Sequence, residues 1–189
     1  MVSIAIIYFS QTNVTAQLAQ AIAQGAKQEN NITVLTHSIA GHEIIEGRFI
    51  NPKLFQKLTA CDAIIFGSPT YMGNVSAQFK AFADASSKHW QQQEWSDKLS
   101  AGFTSGTGLN GDQTNTLQYL STLASQHGML WVNLDSSYGS NHVSLNRLGC
   151  QLGIVAQTND CSVNEIDLAT AVHLGRRVAT LAKRLTCQA

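Results

Sequence analysis

The sequence has few of the features that mark specialised proteins. Its four cysteines, Cys61, Cys150, Cys161 and Cys187, form no C-x-x-C pair. That spacing excludes the common zinc and dithiol redox motifs. In a chain of 189 residues it reads as reduced thiols in a cytoplasmic protein, not as a disulfide framework. Charge is scarce: 13% of residues, with 12 basic and 12 acidic side chains that cancel. A nucleic-acid binder needs a basic face, and none is present. A carrier steered by charge to basic partners needs an acidic one. No apolar run approaches the roughly 20 residues of a membrane span, and no basic leader precedes the first apolar stretch. There is no G-x-x-x-x-G-K-[ST] and no G-x-G-x-x-G, so neither a triphosphate loop nor the common dinucleotide fingerprint is expected. The six histidines show no metal-ligand spacing, and His37, His42, His89, His142 and His173 read as surface or structural residues.

What remains is a chain that is 44% hydrophobic, ample for one core, and residues 1–189 are expected to form a single domain. Short β-branched apolar runs recur: "VSIAIIYF", "NITVLTHSI", "AIIFGS", "LSAGFTS" and "GMLWVNL". Continuous apolarity over so few residues suits strands buried on both faces of a parallel sheet. Helical spacing lies between them, as in Leu18, Ala19, Ile22, Ala23 and Ala26, and in Leu117, Leu120 and Leu123. Val75, Phe79 and Phe82 share another helical face, whereas 41–53, "KHWQQQEW" and 135–162 read as loops. A last helix is expected from Val163 to Leu185, opened by a Ser162 and Glu165 capping box. Five strands alternating with helices predict an open, doubly wound α/β sheet.

Ligands of such sheets bind beyond the carboxyl ends of the strands. Strands one, three and four end in "SQTNVT", "GSPTYMGN" and "TSGTGLNGD". The first loop offers Ser10, Thr12, Asn13 and Thr15 at a helix N-terminus, where hydroxyl, amide and backbone N–H groups suit a phosphate. Without lysine or arginine it fits a single monophosphate; it fits an ordinary helix cap equally well. In the second loop the rigid Pro69, between Gly67 and Gly73, lets the backbone approach a flat ring, with Tyr71 and Met72 against it, or else both are surface loop residues or pack on a neighbour. The third, Ser105 to Asp112, presents N–H groups suited to ring carbonyls, or is simply a flexible connection.

Together these segments resemble the flavodoxin-like FMN proteins, above all the WrbA-type NAD(P)H:quinone oxidoreductases. The likeness spans nearly the whole chain. It rests on "YFSQTNVTAQLAQAIAQGA", "GSPTYMGNVSAQFKAFADASSKHW", "FTSGTGLNGDQTNTLQYLSTLASQHGML" and "NEIDLATAVHLGRRVATLAKRL". It implies a flavodoxin-like five-stranded sheet in the order 2-1-3-4-5. It also implies FMN as cofactor, NADH or NADPH as donor, a quinone as acceptor, and a homo-oligomer, dimer or tetramer. The implied FMN site comprises Ser10, Gln11, Thr12, Asn13, Val14 and Thr15. It continues with Pro69, Thr70, Tyr71, Met72, Gly73 and Asn74, and with Ser105, Gly106, Thr107, Gly108, Leu109 and Asn110. His127 matches a histidine that borders the flavin and is a candidate proton donor; its other reading is a cap on helix-terminal carbonyls. Trp90 matches an aromatic that stacks on nicotinamide or quinone; its other reading is a surface aromatic. The chain departs from the family at Asn13, usually glycine, at Thr12, often aromatic, at Tyr71, usually arginine, and across 135–160. A one-electron flavodoxin, or an FMN protein without strong NAD(P)H activity, are the alternatives.

Overall fold

The computed structural model describes residues 1–137 and 145–186. His142 and Cys187 lie outside the described residues, as does part of the 135–162 stretch. In chain order the elements are β1 (Val2–Tyr8), α1 (Val14–Ala26), β2 (Ile32–Ser38) and a hairpin of β3 (Ile44–Ile45) and β4 (Arg48–Phe49). Next come α2 (Pro52–Thr59), β5 (Ala63–Tyr71), β6 (Asn74–Val75), α3 (Ala77–Ala85), α4 (Ser87–Gln91) and β7 (Leu99–Gly106). The chain continues through α5 (Gln113–Gln126), β8 (Leu130–Trp131) and β9 (Ile154–Gln157) to α6 (Glu165–Thr186). The main sheet runs β2-β1-β5-β7-β8, and those pairs are parallel. In the numbering of the five expected strands this is the order 2-1-3-4-5.

The apolar strands are buried on both faces because side chains alternate with a period of two. Ile4, Ile6, Ala63 and Ile65 join Leu18, Ile22, Leu174 and Val178 in the layer under α1 and α6. Ala5, Ile7, Ile64 and Phe66 join Leu54, Phe79, Phe82 and Leu120 under α2, α3 and α5. A continuous apolar run thus feeds two cores at once.

Six expectations need correction. The fifth strand is split: β8 pairs with Leu99 and Ser100, and β9 with Phe103 to Gly106. The chain leaves the ladder after the Val132 N–H has bonded the Ser100 carbonyl (2.7 Å) and re-enters at Ile154, so 135–162 is not all loop. "KHWQQQEW" begins inside α4, and 41–53 contains the β3–β4 hairpin and the first two residues of α2. Val75 belongs to β6, paired with Thr70, because a two-residue turn at Met72 and Gly73 precedes the helix. Finally, α6 is capped by Asn164, whose side chain accepts the Ile166 N–H (2.9 Å). Ser162 bonds Asp160 instead. Among the described residues no helix is long and apolar enough to cross a membrane.

Candidate functional site

Adjacent parallel strands β1, β5 and β7 deliver their carboxyl ends side by side, and with them the three unusual loops. At the first, Asn13 precedes α1 with φ 67° and makes no side-chain cap bond. This left-handed turn favours glycine, and asparagine tolerates it better than most residues. Ser10 Oγ accepts the Ala16 N–H (3.2 Å). Among the described residues, the N–H groups of Gln11 through Thr15 find no acceptor. The first turn of α1 carries no acidic residue. Unpaired donors and the positive end of the helix dipole therefore meet at one point, as an anion requires. Val14, an odd residue for such a turn, is explained by its burial in the α1–α6 core. Thr15 is likewise buried, and its hydroxyl pairs with Ser105 Oγ (3.0 Å), which ties the first loop to the third.

In the second loop Pro69 and Thr70 are still part of β5. Met72 (φ 49°) and Gly73 (φ 76°) then turn the chain into β6. Positive φ at both central positions is the two-residue hairpin geometry that matches strand twist. It throws Tyr71 and Met72 into solvent. In the third loop the buried Gln113 acts as a staple: its Nε2 donates to the Gly108 carbonyl (2.6 Å) and its Oε1 accepts the Gly111 N–H (2.8 Å). Among the described residues the N–H groups of Thr107, Gly108, Leu109 and Asn110 are left without partners.

The loops enclose a cleft of about 200 Å³ lined by Thr12, Val14, Pro69, Thr70, Tyr71, Ser105, Gly106, Thr107 and Thr158. Ser10, Gln11, Asn13, Thr15, Met72, Gly73, Asn74, Gly108, Leu109 and Asn110 belong to the same loops but do not line it. Thr158 and Gln113 escaped the sequence reading. Thr158 follows β9, where its N–H bonds the Gly106 carbonyl (3.1 Å); the apolar run "GIVAQT" was its signal. Gln113 carried no signal, because nothing local shows which loop carbonyl an amide will reach. A cavity of about 580 Å³ lies elsewhere, between Phe49, Pro52 and Phe55 and the α3–α4 junction. The smaller cleft is the candidate site because the loops that line it carry the unpartnered donors.

His127 and Trp90 do not join this cleft. His127 ends α5 and precedes β8, and the adjoining Gly128 carbonyl accepts the Asp97 N–H before β7 begins. That is the amino edge of the sheet, opposite the loops. Trp90 lies in α4 at the same edge; Gln93 Nε2 bridges its carbonyl to that of Gln126. His127 is 1% exposed and stacks on Trp95, with ring centroids 4.2 Å apart. Ser86 Oγ donates to the Ala83 carbonyl (2.7 Å). Its one proton is thereby used, and it must accept from His127 Nε2–H (2.8 Å). The ring is neutral, and burial, with His89 nearby adding to it, pushes its pKa down to about 4. Within one chain, then, His127 is a buried ring that does not line the cleft.

That burial makes a prediction. A histidine whose folded pKa lies below its unfolded value is stabilising above about pH 6.5, and the contribution drains away as pH falls towards 4. Between pH 7 and 5 the fold should lose about 2 kcal/mol through this one ring. Thermal melts of the wild type and of His127→Gln across that range check it. The variant should be less stable at pH 7 but show a clearly flatter decline; parallel declines would refute the assignment.

The remaining described histidines are paired or plain: His37 with Glu43, His89 with Glu94, His173 with Asp135. No group of residues suited to a metal ion occurs among the described residues. The cleft's neutral donors, backbone N–H and hydroxyl groups without lysine or arginine, fit a phosphate monoester joined to a flat heterocycle with carbonyl acceptors. FMN has that composition.

Comparison with known proteins agrees. The family model described as NADPH-dependent FMN reductase matches residues 2–142. The chain is 37% identical to "Flavodoxin FldP" of Pseudomonas aeruginosa, over 95% of this chain and 96% of that protein. It is 33% identical to an "NAD(P)H dehydrogenase (quinone)" of Archaeoglobus fulgidus, covering 98% and 100% of the two chains. The crystal structure of a flavodoxin, WrbA-like protein from Agrobacterium tumefaciens superposes with a TM-score of 0.76 at 40% identity, covering 97% of this chain and 99% of that one. With the strand order, the loops and these matches in agreement, the chain belongs to the NADPH-dependent FMN reductase family.

Proposed function

We propose that this protein is an FMN-dependent NAD(P)H:quinone oxidoreductase of one domain. The observation that carries the reading is that, among the described residues, two loops with rows of unpartnered N–H groups, Gln11 to Thr15 and Thr107 to Asn110, flank one cleft at the carboxyl edge, which Thr12, Val14 and Thr107 line. The relative named NAD(P)H dehydrogenase (quinone) supports it over full length. FMN, when bound, supplies the acceptance of a hydride from the nicotinamide and its onward transfer to the quinone. The chain's own part is to bind, orient and shield. The α1 N-terminus and Ser10 hold the phosphate. Thr107 to Asn110, clamped by Gln113, would offer donors to ring carbonyls, and Pro69, Thr70 and Tyr71 would form the wall beside the ring. A flavin ring held by these loops would be met on its remaining face by the second flat molecule, the nicotinamide or the quinone.

Trp90, at the opposite edge and 45% exposed, reaches that face only from a second copy of the chain. The site is therefore read as completed in a homo-oligomer, with His127 positioning α4 through Ser86. Free Cys61, Cys150 and Cys161 support a cytoplasmic setting. A flavodoxin passing single electrons is the second reading, favoured by the 37% identity to the FldP protein and by the absence of Trp90 from the cleft of its own chain.

One anaerobic titration separates the two. Protein loaded with FMN should bleach fully on adding about one NADPH or NADH per flavin, and benzoquinone should restore the colour. A flavin that ignores both nicotinamides yet accepts single electrons would favour the second reading. Protein that takes up no FMN would end both.

A further inference from the structure

Beneath the cleft lies a line of hydroxyls whose direction can be worked out. Thr104 Oγ1 donates to the Ser68 carbonyl (2.7 Å), and a hydroxyl has one proton. In its 2.8 Å bond with Thr70 Oγ1, Thr104 must therefore accept, and Thr70 donates. Thr70 has then spent its own proton, so in its 2.8 Å bond with Thr116 Oγ1 it must accept and Thr116 donates. The chain runs one way: Thr116 to Thr70, Thr70 to Thr104, Thr104 to the Ser68 carbonyl. Thr104 and Thr116 are fully buried, so no solvent reverses it. Thr70 is the only member that lines the cleft. What its hydroxyl has left is one lone pair and no proton.

We infer that Thr70 is a specificity-determining residue for the redox state of the flavin: locked as an acceptor, it favours the ring form that carries the additional N–H. This rests on the reading of the cleft as an FMN site. Oxidised isoalloxazine presents a bare ring nitrogen where the reduced ring presents N–H. A hydrogen bond offered to one form stabilises that form selectively. A threonine with a free proton would serve the oxidised ring instead. The lock is built from β7 and α5, so residues that never meet the ligand set the preference.

The two buried threonines provide the test, since valine has nearly the same shape as threonine. Thr104→Val removes the acceptor of the Thr70 proton and frees it to turn towards the ligand. Thr116→Val removes only a donor and leaves the Thr70 proton on Thr104. The quantity to measure is the ratio of FMN dissociation constants, oxidised over reduced, by fluorescence titration and anaerobic redox titration of the full chain. One hydrogen bond changed in one redox state should lower that ratio about fivefold in Thr104→Val. Thr116→Val should stay within twofold of wild type, and Thr104→Ser should restore the wild-type ratio. If Thr104→Val does not fold, Thr70→Val, which deletes the acceptor itself, should show a similar drop. Equal shifts in Thr104→Val and Thr116→Val, or no shift in Thr104→Val or Thr70→Val, would overturn the inference. Wild-type protein that binds neither form of FMN would overturn the underlying cofactor reading instead.

Discussion

Replacing Gly175 with alanine should lower stability by about 2–3 kcal/mol, although alanine is the better helix former. Gly175 of α6 faces the α1 backbone: a Cβ there would stand 2.0 Å from the Ile22 carbonyl oxygen. The contact is reciprocal, since a Cβ on Gly25 of α1 would stand 1.9 Å from the Val172 carbonyl oxygen. Both obstacles are backbone, so no side chain can swing aside and the helices must part. Alanine recovers about 1 kcal/mol of helix propensity. Overpacking costs up to about 3 kcal/mol and occasionally more, and so near an approach belongs at or beyond the upper end. The net effect is a fall in melting temperature of roughly 5–10 °C for a domain of this size. Gly41→Ala, where an added Cβ meets nothing within 4 Å, is the control and should melt close to wild type. A rise in melting temperature for Gly175→Ala would show that the helices do not approach this closely.

Arg147→Met should cost about 3 kcal/mol at neutral pH. Arg147 Nη2 donates to Asp167 Oδ2 (2.7 Å) and to the Gln157 carbonyl (3.2 Å). Asp167 is 2% exposed, and burial pushes its carboxyl above the ordinary value while Arg147 opposes that rise. Removing one partner leaves a carboxylate in a place where water does not reach, the expensive half of a buried pair. The sign with pH follows. A carboxyl whose folded pKa is raised prefers to be protonated in the fold, so the penalty is full above the folded pKa and shrinks as pH falls through it towards 3.8. In Arg147→Met the melting temperature should therefore drop less, relative to wild type, in acid than at pH 7. Adding Asp167→Asn should recover most of the loss at pH 7. A single variant as stable as wild type, or a double variant no better than the single, would refute the pairing.

The local chemistry of the chain was enough for much of the fold. "VSIAIIY" and "AIIFGS" could be read as doubly buried strands because β-branched runs of that length have few other solutions. The loops after three of the strands could be placed together because parallel strands bring their carboxyl ends to one edge. Asn13 was legible as a left-handed turn residue, since that tolerance belongs to its own side chain. The break in the fifth strand was not legible: "GMLWVNL" is a good strand throughout, and only its competition with the later run "GIVAQT" for the edge of β7 ends it at Trp131. The Ser162 cap failed for a similar reason: Asn164 takes the Ile166 N–H at the start of the helix, and the Ser162 hydroxyl donates to Asp160.

His127 and Trp90 mark the limit most clearly. Their neighbours in sequence identify the family, but their distance from the cleft depends on which way α3 and α5 run across the sheet. By itself the sequence determined the α/β class and the three donor-rich loops at one edge, through periodicity and turn chemistry within a few residues; the strand order was implied by the family resemblance and not by any local pattern. Only the tertiary structure decided that Thr158 and Gln113 close the cleft, that Thr70 has no proton to give, and that His127 is a neutral ring at the far edge. Those outcomes depend on partners many positions away competing for single protons and carbonyls, and no local stretch records who wins.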